Sequence, residues 1–121
     1  MSSPRISLLV LRVSDLERAA DFYRLLGFEF KKHAHGSGPE HYASETEGLV
    51  FELYPASAKQ PVSCSVRIGF AVEDVDAMTA RLEGVAGAKV VSMPSDSEWG
   101  RRAVVADPDG HRVELIWAGL K

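Results

Sequence analysis

The 121-residue sequence predicts an α+β protein made of two βαβββ repeats, and three observations lead to that class. Apolar residues alternate or run together in short β-branched stretches; two capped segments carry apolar residues at spacings of three and four; and the second half repeats the element order of the first.

The first strand is Ile6 to Val13 (ISLLVLRV), a nearly continuous apolar run expected to be covered on both faces. A helix follows, with Ser14 as its expected N-cap and Glu17 completing a capping box. Leu16, Ala19, Ala20, Tyr23 and Leu26 form its apolar stripe, and Gly27 is suited to the left-handed conformation that ends a helix. Phe28 to Lys32 reads as a short strand, His33 to Pro39 as a loop carrying Gly36 and Gly38, and Glu40 to Ser44 as a third strand. Gly48 to Tyr54 (GLVFELY) is the clearest strand: Leu49, Phe51 and Leu53 share one face, while Val50, Glu52 and Tyr54 share the other.

The order then recurs. Ser65 to Val72 reads as a strand, Asp74 as an N-cap, and Val75, Met78 and Leu82 as a helical stripe ending among Gly84 and Gly87. Lys89 to Met93 and Arg101 to Ala106 are strands, separated by a polar loop over Ser95 to Glu98. Asp107-Pro108-Asp109-Gly110 has the chemistry of a turn, and His111 to Trp117 closes the set with Glu114 on the face opposite Val113 and Leu115. Val13-Ser14-Asp15-Leu16 matches Val72-Glu73-Asp74-Val75, and Phe51-Glu52-Leu53 matches Val113-Glu114-Leu115 at nearly the same offset. A four-stranded half cannot cover both faces of its own sheet. The halves, about 4–62 and 63–121, are therefore expected to pack as one domain over 1–121, forming a curved eight-stranded mixed sheet or open barrel with helices outside and a cleft inside.

Composition narrows the function. The net charge of −3 and the scatter of basic residues argue against nucleic acid as a partner. Leu8 to Leu11 is too short an apolar run for a signal-peptide core or a membrane span, so no membrane is expected. Cys64 is the single cysteine, which rules out an internal disulfide and a thiolate cluster within one chain and suits a reducing cytoplasm. No phosphate loop or nucleophile elbow is present.

Several segments in this order resemble one superfamily. They are Leu11-Arg12-Val13-x-Asp15-Leu16 with Phe22-Tyr23 and Leu26-Gly27-Phe28; Phe51-Glu52-Leu53; Arg67 to Val72; and Trp99-Gly100 with Asp107-Pro108-Asp109-Gly110-x-x-Val113-Glu114-Leu115. The chain is similar to the vicinal-oxygen-chelate proteins, which include glyoxalase I, bleomycin-resistance proteins and extradiol dioxygenases. The resemblance implies a four-ligand metal site, with one ligand from the first and one from the fourth strand of each repeat, for a divalent ion such as Zn, Ni, Mn or Fe. The fourth-strand positions fall on Glu52 and Glu114, which match. The first-strand positions fall on Leu8 and Arg67, which do not: leucine has no lone pair to donate, and a guanidinium repels a cation. The usual four-ligand site is therefore expected to be absent, and no cofactor is assigned; a divalent Zn, Ni, Mn or Fe ion belongs only to the alternative metal-dependent reading.

Glu52, Glu114, Arg67 and Arg12 are expected to share the inner face as an acidic-basic cluster, either as a structural network or as a ligand pocket. In glutathione-using relatives an arginine matching Arg12 contacts the anionic substrate, so the resemblance gives Arg12 a related role. His41 is a pocket candidate on the third strand. His33 and His35 are placed in a loop, and His111 is expected to be solvated. Tyr54 is assigned by alternation to the cavity, Phe70 is a candidate for the core, and Trp99 forms either an aromatic flap over a ligand or packing at a barrel end.

Three functions follow from these residues. The first is a metal-independent, homodimeric binding protein of the bleomycin-resistance kind, holding a small planar or anionic molecule near Arg12, Glu52, Arg67, Trp99 and Glu114. The second is a glyoxalase-type lyase or isomerase, or a dioxygenase, with a metal on Glu52, Glu114 and a substitute such as His41. The third is a metal-free enzyme in which a glutamate abstracts a proton and Arg67 stabilises the enolate.

Overall fold

The structure, a computed structural model, describes residues 3–34 and 36–117. It contains β1 (Leu8–Val13), α1 (Leu16–Leu25), β2 (Lys31–His33), β3 (His41–Thr46) and β4 (Leu49–Pro55), then β5 (Arg67–Ala71), α2 (Val75–Glu83), β6 (Lys89–Ser97), β7 (Gly100–Ala106) and β8 (Arg112–Trp117). The βαβββ order thus appears twice. The strands form two four-stranded mixed sheets, ordered β1-β4-β3-β2 and β5-β8-β7-β6, which do not close into a barrel. In each sheet the first and fourth strands run parallel and the remaining pairs antiparallel.

Each sheet buries one face. Leu11, Val13, Phe51 and Leu53 of the first and Ile68, Ala103, Val105, Val113 and Leu115 of the second join a single core with Ala19, Ala20, Phe22 and Tyr23 of α1 and Val75 and Leu82 of α2. Full burial of side chains such as Phe51, Leu53 or Leu115 stabilises the fold by roughly 1.5–3 kcal/mol apiece. Phe70 crosses between the halves, with its ring centroid 5.4 Å from that of Phe28 and 6.5 Å from that of Tyr23. Phe70, expected in the core, is partly buried and packs against it.

The opposite face is only partly covered, with His41 and Val104 buried on it, and at the first strand this corrects one reading. The first strand is covered on one side only: Leu8 is 56% and Val10 38% exposed. An apolar run does not guarantee two covered faces when one half supplies a single helix. The helix start also differs, because Asp15 caps α1 by accepting from Arg18 N–H, and Ser14 instead donates its N–H and hydroxyl to Asp109 of the second half, at 3.0 and 2.5 Å. A tertiary partner outweighs the local capping box. At the other end Gly27 does take a positive φ, 111°, one residue beyond the C-cap Leu26.

Strand bounds shift by a few residues, most at β6. The segment Ser95 to Ser97, expected in a loop, continues that strand, and only Glu98 and Trp99 turn into β7. β6 is an edge strand with irregular pairing between Val90 and Ser95, so Pro94 removes no ladder bond that a central strand would need. Among the described residues no helix is long and apolar enough to cross a membrane.

Candidate functional site

Cross-strand register organises the open face of the first sheet into rows. Arg12 pairs with Tyr54, and His33 with His41, while the Tyr42–Leu53 pair brings His41 beside Tyr54. One row therefore runs Arg12, Tyr54, His41, His33 across all four strands. The side chains stack along it. The Arg12 guanidinium carbon lies 4.7 Å from the Tyr54 ring centroid; the His41 and Tyr54 rings are 4.2 Å apart and inclined by 6°; the His33 and His41 rings are 5.7 Å apart. His41, inside the stack, is 4% exposed and has Nδ1 3.4 Å from the Pro39 carbonyl oxygen. Arg12 also donates to the Pro55 carbonyl at 3.5 Å. His33, expected in a loop, belongs to β2, whereas His35 lies outside the described residues.

The next row runs Val10, Glu52, Ala43, Lys31. Glu52 is half-buried there, between two small apolar neighbours. A cavity of about 440 Å³ opens along this face beside His33, lined by Glu29, Lys31, Ala43 and Glu45 as well.

The second sheet presents different chemistry. Glu114 occupies the place equivalent to Glu52 and accepts from Arg102 of β7 at 2.8 Å, both side chains being about a quarter exposed. Its neighbours in the row are Gly69 and Val104. Arg67, expected beside the glutamates, is exposed and pairs in register with Arg112, one row along. Leu8 holds the corresponding place in the first sheet, opposite Val50.

The structure therefore divides the expected cluster. Arg12, Tyr54 and His41 come together; Glu114 takes Arg102 as its partner; Glu52 and Glu114 lie on separate sheets. Among the described residues no group of three or more His, Cys, Asp or Glu side chains is placed to hold a metal ion. A donor set containing Leu8 and Arg67, with Glu114 already engaged by a guanidinium, does not fit a four-ligand centre. Trp99 is 70% exposed at the β6–β7 turn, where its N–H donates to Ser97 Oγ. Arg102 was missed because its pairing depends on the β7–β8 register. That register was recoverable in principle by counting outward from the Asp107–Gly110 turn.

His111 is the largest correction. It is 1% exposed, not solvated, and its Nδ1 lies 2.9 and 3.1 Å from the two carboxylate oxygens of Asp107. Asp107 also accepts from the Tyr23 hydroxyl at 2.6 Å and from the Asp109 and His111 N–H groups. Burial pushes the Asp107 carboxyl up, yet the hydrogen bonds from His111 and Tyr23 outweigh it and leave a net lowering. The same hydrogen bond to Asp107 raises His111 above the usual imidazole value against the effect of burial, and burial followed by the Asp107 charge raises Tyr23. The sequence signal was the four-residue spacing across the turn, which brings Asp107 and His111 side by side.

Comparison with known proteins agrees with this architecture. Residues 5–115 match the profile of the Glyoxalase/Bleomycin resistance protein/Dioxygenase superfamily. The chain is similar to a probable lactoylglutathione lyase of Vibrio parahaemolyticus, 29% identical over 127 residues, covering 96% of this chain and 92% of that one. Among solved structures it resembles TnmS3, an antibiotic binding protein from Streptomyces sp. CB03234, at 29% identity and a TM-score of 0.75, covering 98% and 99% of the two chains. It also resembles a glyoxalase/bleomycin resistance protein from the same Streptomyces strain, at 31% identity and a TM-score of 0.67, covering 93% and 99%.

Proposed function

The chain belongs to the glyoxalase/bleomycin resistance protein/dioxygenase superfamily, and from that premise we propose that it binds a small planar or anionic molecule on the open sheet face without a four-ligand metal centre. The observation that carries this reading is the stacked row of Arg12, Tyr54, His41 and His33, which lines up π-faces and a cation beside a cavity of the size that accommodates small ligands. The likeness to an antibiotic binding protein supports sequestration, and the Arg102–Glu114 pair supports a second sheet that spends its carboxylate on a salt bridge rather than a metal.

Glu52 faces this site as a hydrogen-bond acceptor, and Trp99, exposed at its turn, is proposed as an aromatic wall contributed to a ligand. We further assign the exposed apolar residues Leu8 and Val10 to contact with a second copy, giving a homodimer whose cleft places the open face of one half opposite that of another.

Two measurements test this. A thermal-shift screen with flat aromatic and glycopeptide compounds is expected to raise the melting temperature, because a ligand selective for the folded state stabilises it. Metal analysis of protein purified without chelator is expected to give far less than one equivalent. Near-stoichiometric zinc, nickel, manganese or iron that disappears in Glu52→Gln would establish the metal-dependent lyase, isomerase or dioxygenase instead. Absence of any shift across aromatic ligands would remove the case for sequestration.

A further inference from the structure

The second sheet carries a row of cations on the face that also bears Glu114. In register across its four strands lie Arg67 of β5, Arg112 of β8, Ala106 of β7 and Lys89 of β6. Arg67, Arg112 and Lys89 are exposed, and Ala106 is partly buried between Arg112 and Lys89. Adjacent strands stand about 4.8 Å apart, so the two arginines start side by side and the whole row spans roughly 14 Å. The equivalent row of the first sheet contains Leu8, Val50 and Glu45, none of them a cation.

These charges are left unanswered. Arg101 and Arg102 of β7 take Asp76, Asp96 and Glu114 as partners. Among the described residues none of Arg67, Arg112 and Lys89 has an ion pair, a side-chain hydrogen bond or a ring to stack on. Glu114 stands two residues from Arg112 on the same face, but Arg102, in register with Ile116 on its far side, holds it at 2.8 Å. Like charges on adjacent strands repel, so the row costs stability. Seventeen acidic against fourteen basic residues make the chain acidic overall, and the row is a local concentration of positive charge within it.

We propose that Arg67 and Arg112 seat the dianionic group of a small phosphate monoester, with Lys89 adding charge from across the low floor at Ala106. Two guanidinium forks on neighbouring strands present donors to separate oxygens of one tetrahedral group, and the bound anion relieves their mutual repulsion. A phosphate monoester is a dianion above its second pKa of about 6, so it gains more from two fixed cations than a monocarboxylate does. The short row and the net charge of −3 suit one small molecule rather than a nucleic-acid strand. None of these residues belongs to the stacked row of the first sheet, so the two sites are separate.

Phenyl phosphate at about pH 7.5, where it is dianionic, is the probe, followed at fixed ionic strength through the guanidinium Nε resonances of Arg67 and Arg112. The expected result is a saturable shift of both, with half-saturation at Arg67 raised about tenfold or more in Arg112→Gln and about threefold in Lys89→Gln. Both substitutions are at exposed positions, and Arg112→Gln is expected to melt no lower than wild type because it removes a like-charged neighbour. Phenyl phosphate is expected to raise the melting temperature of wild type and not of Arg112→Gln. The inference is overturned if the resonances stay unmoved at millimolar excess, if benzoate shifts them equally, or if Arg112→Gln retains the wild-type response. Tighter binding of a short single-stranded oligonucleotide than of phenyl phosphate would overturn it as well. Dissociation of a dimer by Arg112→Gln, with no response to phenyl phosphate in either protein, would also overturn it and assign the row to contact between copies.

Discussion

The Tyr23 hydroxyl lies 2.6 Å from Asp107 Oδ2, and this bond joins the helix of the first half to the β7–β8 turn of the second inside a site closed to solvent. Tyr23→Phe removes one hydrogen bond to a charged acceptor while leaving His111 in place, and is expected to cost about 1.5–3 kcal/mol. Asp107→Asn strips His111 and Tyr23 together of a charged partner and is expected to cost about 3–5 kcal/mol. Urea unfolding measures both. Equal stability of Tyr23→Phe and wild type would show that the bond contributes nothing to joining the halves.

The same network sets a pH window. Asp107 has a lowered folded value, so its contribution is present above the ordinary carboxylate value of about 4 and is lost as pH falls through the lowered one. His111 has a raised folded value, so its contribution is fully present below about 6.5 and is lost as pH rises through the raised one. Stability is expected to be greatest between those limits and to decline on the alkaline side. The alkaline decline should flatten in His111→Asn, followed by denaturant midpoints across pH; an unchanged slope in that variant would assign the decline to another group.

The repeat and its faces were legible because they rest on local pattern. Glu52 alternates with Phe51 and Leu53, and Asp74 precedes its helix, whatever the rest of the chain does. The failures lie where a distant residue decides. Ser14 and Asp15 are both competent caps, and Asp109, far along the chain, draws Ser14 away. His111 looks like a solvated histidine until the turn folds Asp107 against it. Arg67 and Arg102 are indistinguishable as partners for Glu114 until register places Arg102 on the adjacent strand. The stacked row was half visible: Tyr54 and His41 were chosen singly, but their alignment with Arg12 and His33 is a property of four strands at once.

Removal of the guanidinium from Glu114 tests whether that pair substitutes for a metal or merely stabilises the sheet. Both side chains retain partial exposure, so Arg102→Gln is expected to lower stability by no more than about 1 kcal/mol. Zinc or nickel is expected to raise the melting temperature of Arg102→Gln no more than that of wild type, since Leu8 and Arg67 add no donors. A metal-dependent rise specific to Arg102→Gln would mean that Glu114 is one substitution away from a working ligand set.

Tyr54 stands between Arg12 and His41, so its ring is shared by a cation–π contact and an aromatic stack. Tyr54→Leu keeps an apolar side chain in the row but removes both π-faces, with an expected loss of about 1–2 kcal/mol from the stack and the cation contact together. Tyr54→Phe keeps the faces and should behave as wild type in stability. The two variants should differ more sharply toward ligand: any aromatic compound that raises the melting temperature of wild type is expected to do so for Tyr54→Phe and to fail with Tyr54→Leu. Equal thermal shifts in all three proteins would mean that the ligand binds away from the stacked row, and the open face of the first sheet would lose its claim as the binding surface.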